Sequence, residues 1–186
     1  MVCALAALAA VVACGALAGG AAKDPKAVVL QGSDLPAGAV RQPYGAVVNG
    51  GTARIFSVTF NFKNGANEEE VTSFAAVAKD KEAAESTYRL QVAGNTGLPG
   101  DTIVKLPSYG DEQTADFFSK GSAARARGEV IVRRNNVVWS VTVENCGPYS
   151  PYGCSGGKTP PNITTAQALA ELKKLAPRQK ARVGSG

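Results

Sequence analysis

Apolar and polar positions alternate most regularly between Gly128 and Glu144, which read Gly-Glu-Val-Ile-Val-Arg-Arg-Asn-Asn-Val-Val-Trp-Ser-Val-Thr-Val-Glu. Two β-branched runs flank Asn135-Asn136, and asparagine tolerates the positive φ that a two-residue hairpin turn requires. With that pair as the turn, Arg134 faces Val137, Val132 faces Trp139 and Val130 faces Val141. Val137 and Val143 share their side of the ribbon. The opposite side carries Glu129, Arg133, Val138, Ser140 and Thr142, with Ile131 among them. A slip of one residue would turn Trp139 into water, so pattern and turn specify one register.

The same two-residue period recurs from Ile55 to Phe62, with Phe56, Val58, Phe60 and Phe62 on one face and Ser57, Thr59 and Asn61 on the other. An Asn64-Gly65 turn follows. Glu68 to Ala93 supports two readings. One is a single helix capped by Asn67. In the other, Val71, Ser73, Ala75 and Val77 form a strand that returns along Phe56–Phe62, and a helix capped by Asp80 runs from Lys81 to Val92, ended by Gly94. The second is preferred, because it completes the hairpin and gives the helix an apolar stripe of Ala84, Tyr88 and Val92. Ala27–Leu30 reads as a first short strand, closed by the turn Asp34-Leu35-Pro36-Ala37-Gly38. Arg41–Asn49 shows no clear period. Thr102–Leu106 and Gln113–Ser119 read as strands. Thr164 and Gln167 hold capping-box positions ahead of Leu169, Leu172 and Leu175. Pro177 is expected to stop that helix, leaving 178–186 as a disordered basic tail.

These elements predict an α+β fold: a mostly antiparallel sheet in the order β-β-α-β-β-β-β-α, with helices packed on one face and one disulfide. Residues 1–22 read as a leader and 23–177 as a single domain. Only 6% of the chain is aromatic, so Phe56, Phe60, Phe62, Phe74, Phe117, Phe118 and Trp139 must anchor a core otherwise made of Val, Leu and Ala. The net charge of +5 favours anionic partners such as lipid head groups or acidic polymers. The excess gathers at Arg125/Arg127, Arg133/Arg134 and Lys173 to Arg182. Most of these charges read as solvated surface, and no nucleic-acid partner is expected.

Met1 to Ala22 carries no charge and is mostly Ala, Val and Leu. Val11-Val12-Ala13-Cys14 resembles the lipobox of bacterial lipoproteins, which implies acylation at Cys14. Ala16-x-Ala18 offers an ordinary signal-peptidase site instead, and an uncleaved anchor is a third reading. No Lys or Arg precedes the apolar run, so the true start could lie upstream of Met1. All three readings place the domain outside the cytoplasm, anchored at the cell membrane or secreted. In an exported chain, Cys146 and Cys154 read as a disulfide that pins the segment leaving the hairpin. A redox or metal pair fits poorly, since the spacing is not Cys-x-x-Cys and the chain has no histidine.

Several short motifs imitate chemistry. Gly153-Cys154-Ser155-Gly156-Gly157 matches Gly-x-Ser-x-Gly, but a histidine-free chain cannot build the usual triad and Pro160-Pro161 follows where a helix is needed. Ser155-Gly156-Gly157-Lys158 lacks the companion elements of penicillin-recognising enzymes. Gly157-Lys158-Thr159 lacks the first glycine and the helix of a phosphate-binding loop. Glu68-Glu69-Glu70 and Asp111-Glu112 read as solvated turns. Asn162-Ile163-Thr164 is a formal glycosylation sequon, better read as the start of a helix. No catalytic residue, metal or cofactor is expected.

Asp34-Leu35-Pro36-Ala37-Gly38, Gly110-Asp111-Glu112 and the Val132–Val138 turn region together resemble a family of exported proteins and lipoproteins of actinobacterial type with a PsbP-like α+β envelope domain. The resemblance implies a location and a fold, and brings no catalytic residues. The expected function is a non-enzymatic cell-envelope module, lipid-anchored or secreted, that binds a partner protein or stabilises a surface complex. The alternative is an anionic or amphiphilic small ligand, held on the sheet face or at a basic loop tip near Arg125, Arg127, Arg133 and Arg134. A pocket with converging arginines would favour the ligand. A filled core with an exposed apolar patch would favour the partner.

Overall fold

A computed structural model describes residues 23–43, 45–64, 67–96, 101–118, 126–145 and 163–184. Cys14, Arg125, Cys146, Cys154, the Ser155-centred motifs and Asn162 lie outside them. The described fold is α+β, built on one antiparallel sheet of eight strands with three helices.

Two long hairpins form its centre. Strands β3 (Ala53–Asn64) and β4 (Asn67–Ala78) pair along their whole length, with Phe56 opposite Ala75 and Phe60 opposite Val71. Strands β7 (Arg127–Arg134) and β8 (Val137–Asn145) pair in the register the alternation predicts: Arg134 with Val137, Val132 with Trp139 and Val130 with Val141. Asn135 takes the left-handed conformation at the turn, with φ 54°. The hairpins join through β4 and β8, which sets Ala75 beside Trp139. Outside them lie β5 (Asp101–Ile103) and β6 (Glu112–Phe118) on one flank, and the two-residue strands β1 (Val40–Arg41) and β2 (Val48–Asn49) against β3 on the other. Edge strands this short offer little backbone for another chain to pair with.

The helices occupy both faces of the sheet, which corrects the expectation of one covered face. On the first face, α3 (Thr165–Val183) and α1 (Pro25–Val28) pack over Phe56, Val58, Phe60, Val71, Val130, Val132, Trp139 and Val141 through Ala168, Leu172, Leu175 and Val28. At Gly128 an added Cβ would lie 2.8 Å from that of Ala168, so the missing side chain is what lets α3 approach β7. On the second face, α2 (Lys81–Asn95) sets Ala84 and Tyr88 on Ala76, Ile131 and Val138. Ile131 and Val138 are apolar neighbours on the hairpin's otherwise polar side. They are the seat of this second helix.

Three local expectations change. Ala27–Leu30 is not a strand. Asp24 accepts from the Lys26 amide and Pro25 takes the first helical position, so the segment opens as a short helix before it extends. Glu69 and Glu70 are not turn residues but buried positions of β4. Most consequential, α3 runs through Pro177 to Val183, where a stop and a disordered tail were expected. The proline costs an intrahelical hydrogen bond, but the turns beyond it are held from outside. Gln179 is 0% exposed; its amide donates to the Phe74 carbonyl at 2.8 Å and accepts from the Ser73 hydroxyl at 2.8 Å. Ser73 Oγ in turn accepts from the Leu30 amide at 3.0 Å. Arg182 pairs with Asp34 at 2.7 Å. Gln179→Ala is expected to destabilise the fold by about 2–3 kcal/mol, because it leaves buried polar partners unmatched. Urea denaturation of the two proteins checks this.

Candidate functional site

The proposed arginine site does not assemble among the described residues. Arg133 and Arg134 are neighbours in a strand and therefore project from opposite faces. Arg133 closes the hairpin turn instead, within 3.4 Å of Asp111 and 3.3 Å of Glu112, while its guanidinium also donates to the Asn135 carbonyl. Asp111 and Glu112 are thus its counter-ions. Arg127 lies six residues back along β7, roughly 20 Å away, and donates to the Asn95 carbonyl at the end of α2. The first sheet face beneath the hairpin is filled by core side chains.

A cleft lies elsewhere, beside the short elements that border β3. Helix α1 is four residues long because Val29 leaves it in extended conformation, and the chain then makes a 3-10 turn over Gly32–Asp34. Strand β1 is only two residues long. Between them, the apolar face of β3 forms the floor of a cavity of about 350 Å³. Phe56, Val58 and Phe60 make that floor, Val29 and Leu30 one wall, and Lys26 and Arg41 stand exposed at the rim. Lys26 Nζ lies 5.8 Å from the centroid of the Phe56 ring, within cation–π range. Gln31 braces the wall by donating to the Lys26 and Val29 carbonyls at 3.0 and 3.1 Å. No carboxylate appears among these described lining residues. Such a cleft is at the small end of small-molecule sites, with an apolar floor and two positive donors at its mouth. It suits an anionic group on a short apolar stem: the guanidinium offers a two-pronged donor and the ammonium a point charge.

A second polar cluster sits on the other sheet face. Register places Asp116 on β6 directly opposite Glu129 on β7, and Asp101 on β5 beside them. Asp116 is 1% exposed and Glu129 4%. Burial, reinforced by the charges of Asp101 and Glu129 and only partly offset by Arg127, pushes Asp116 up to about 7. Neither Asp116 carboxylate oxygen has a hydrogen-bond partner among the described residues, so no hydrogen bond offsets the cost of burying its charge. Burial also raises Glu129, against the pull of Arg127 and of the Thr142 hydroxyl, which donates at 3.1 Å. A carboxyl titrating near neutrality has the affinity of a general acid or base, but these two are closed to substrate in this conformation. Among the described residues, no group of three His, Cys, Asp or Glu side chains is placed to hold a metal ion.

The sequence pattern missed Lys26 and Arg41 because nothing local marks them. Their common feature is the Phe56–Val58–Phe60 face, which links segments remote in the chain. No protein-family model matches the chain, and no curated protein or solved structure shows significant similarity to it.

Proposed function

We propose that the chain is an extracytoplasmic binding module of the cell envelope, lipid-anchored or secreted, with no reaction of its own, and that it holds an anionic amphiphile in the cleft between α1, β1 and β3. The observation that carries this reading is the union of an apolar floor, Phe56, Val58 and Phe60, with two exposed cations, Lys26 and Arg41, at the rim. The uncharged leader and its Cys14 lipobox supply the location. The resemblance of its turn motifs to those of exported α+β envelope proteins is in keeping with that location.

Calorimetric titration of the full chain with decyl phosphate, and with an uncharged decyl glycoside as control, tests the proposal. The anion is expected to bind and the glycoside to bind far more weakly. Changing Lys26 and Arg41 together to alanine is expected to weaken the anion roughly tenfold to hundredfold, about one to two steps of 1.4 kcal/mol. Equal binding of both amphiphiles, or no loss in the double variant, would refute it. A partner protein seated on the same edge is the second reading. It draws on Val40 and Val48, 62% and 57% exposed on β1 and β2.

A further inference from the structure

The cleft lies within a larger basic surface. Lys23 donates to the Val183 carbonyl and so brings the residue that follows the leader onto the end of α3. Asp24 lies 3.8 Å from Arg54 at the start of β3. Arg182 bonds the Asp34 carboxylate at 2.7 Å, and Arg178 donates to the Asp34 carbonyl. These contacts tie α1, the 3-10 turn, the end of α3 and the margin of β3 into one continuous patch. Among the described residues it carries Lys23, Lys26, Arg41, Arg54, Arg178 and Arg182 against Asp24 and Asp34, while Glu171 beside Arg178 is paired with Lys174. Helix α2 on the opposite face carries no such excess, its Lys81 and Arg89 being balanced by Glu82 and Glu85.

The position of the patch along the chain gives it a partner. Lys23 directly follows the apolar leader, and the nine residue-to-residue steps from Cys14 to Lys23 reach at most about 32 Å when fully extended. Whether acylated at Cys14 or inserted, the leader would hold this patch close to a bilayer at high effective concentration. Each cation near an anionic membrane surface then favours contact roughly fivefold, within a Debye length. We infer that this surface docks the domain against anionic phospholipid in the leaflet that holds the leader, and that the cleft receives the phosphate of one lipid between Lys26 and Arg41. The inference rests on the reading of the cleft and leader given above. Phe56, Val58 and Phe60 would then lie under the lipid's first methylenes, and docking would face the neutral α2 side away from the membrane.

Hydrogen exchange of the full chain in phosphatidylcholine vesicles, with and without phosphatidylglycerol, tests the docking. Amides of 24–42 and 179–184 are expected to exchange at least about tenfold more slowly with phosphatidylglycerol present, a difference lost toward 1 M salt, where the Debye length is about 3 Å. Lys26→Glu with Arg41→Glu is expected to abolish it. Unchanged exchange in α2 reports that this variant remains folded. Equal exchange in the two vesicles, or protection centred on α2, would overturn the inference. Decyl phosphate separates the two proposals: protection of 24–42 by it, without any vesicle effect, keeps the cleft reading and ends the docking. Loss of both ends both.

Discussion

Trp139→Ala is expected to lower the stability of the domain by about 4 kcal/mol, and Trp139→Phe by only about 1–2 kcal/mol. The indole is wholly buried at the junction of the two central hairpins, where Val132 of β7 and Ala75 of β4 are its cross-strand neighbours. Tyr109 packs against it at 6.3 Å between ring centroids. With alanine already at position 75, nothing beside the indole can swell to fill the space it leaves, so most of the cavity would remain. Phenylalanine keeps much of that volume. It also removes a cost, because the indole N–H has no acceptor among the described residues. A buried donor without a partner is unfavourable, and its deletion offsets part of the lost packing. Denaturant midpoints of the three proteins measure both losses. If phenylalanine proved as costly as alanine, the indole nitrogen would have to be bonded, and its role would be polar as well as steric.

The legible parts of this chain are those in which two local signals agree. In the β7–β8 hairpin, a two-residue period and an Asn-Asn turn specify the same register, and that register is found. The Asp80 side chain caps α2 by accepting from the Ala83 amide, and the Thr164 and Gln167 side chains cap α3 by each accepting from the other's amide. Where a local rule meets a tertiary contact, it yields. Pro177 should break α3, yet Gln179, Arg182 and Val183 are each engaged elsewhere in the fold, and the helix continues. The second covered face was present in the pattern as Ile131 and Val138, but two apolar residues on a polar side do not declare a helix until the helix is seen. Adjacent arginines suggested a basic site, although the same alternation that set the register sends Arg133 and Arg134 to opposite faces. The cleft was the least legible feature. Its rim residues are distant in sequence, and they meet only where the short α1 and β1 border the buried Phe56–Val58–Phe60 face of β3.

The buried carboxyls make stability depend on pH, and Asp116→Asn is expected to remove much of that dependence. Asp116 titrates near 7 in the folded protein and at about 3.8 when unfolded. Below pH 3.8 both states hold the proton. Between about pH 4 and 7 the folded state retains a proton that the unfolded chain releases, so stability falls as pH rises, by up to about 1.4 kcal/mol per unit for this group. By pH 8 the accumulated loss is about 4 kcal/mol. Glu129, also raised by burial, acts in the same direction. Asparagine keeps the shape of the protonated acid without the charge. The variant is therefore expected to match the parent near pH 4 and to exceed it by about 2–4 kcal/mol at pH 8, as read from urea midpoints at the two values. The gain must grow with pH, because it is the ionised carboxylate that burial penalises. A variant equally stable relative to the parent at both values, or less stable at pH 8, would mean that Arg127 neutralises Asp116 in place and that Asp116 stays ionised rather than protonated.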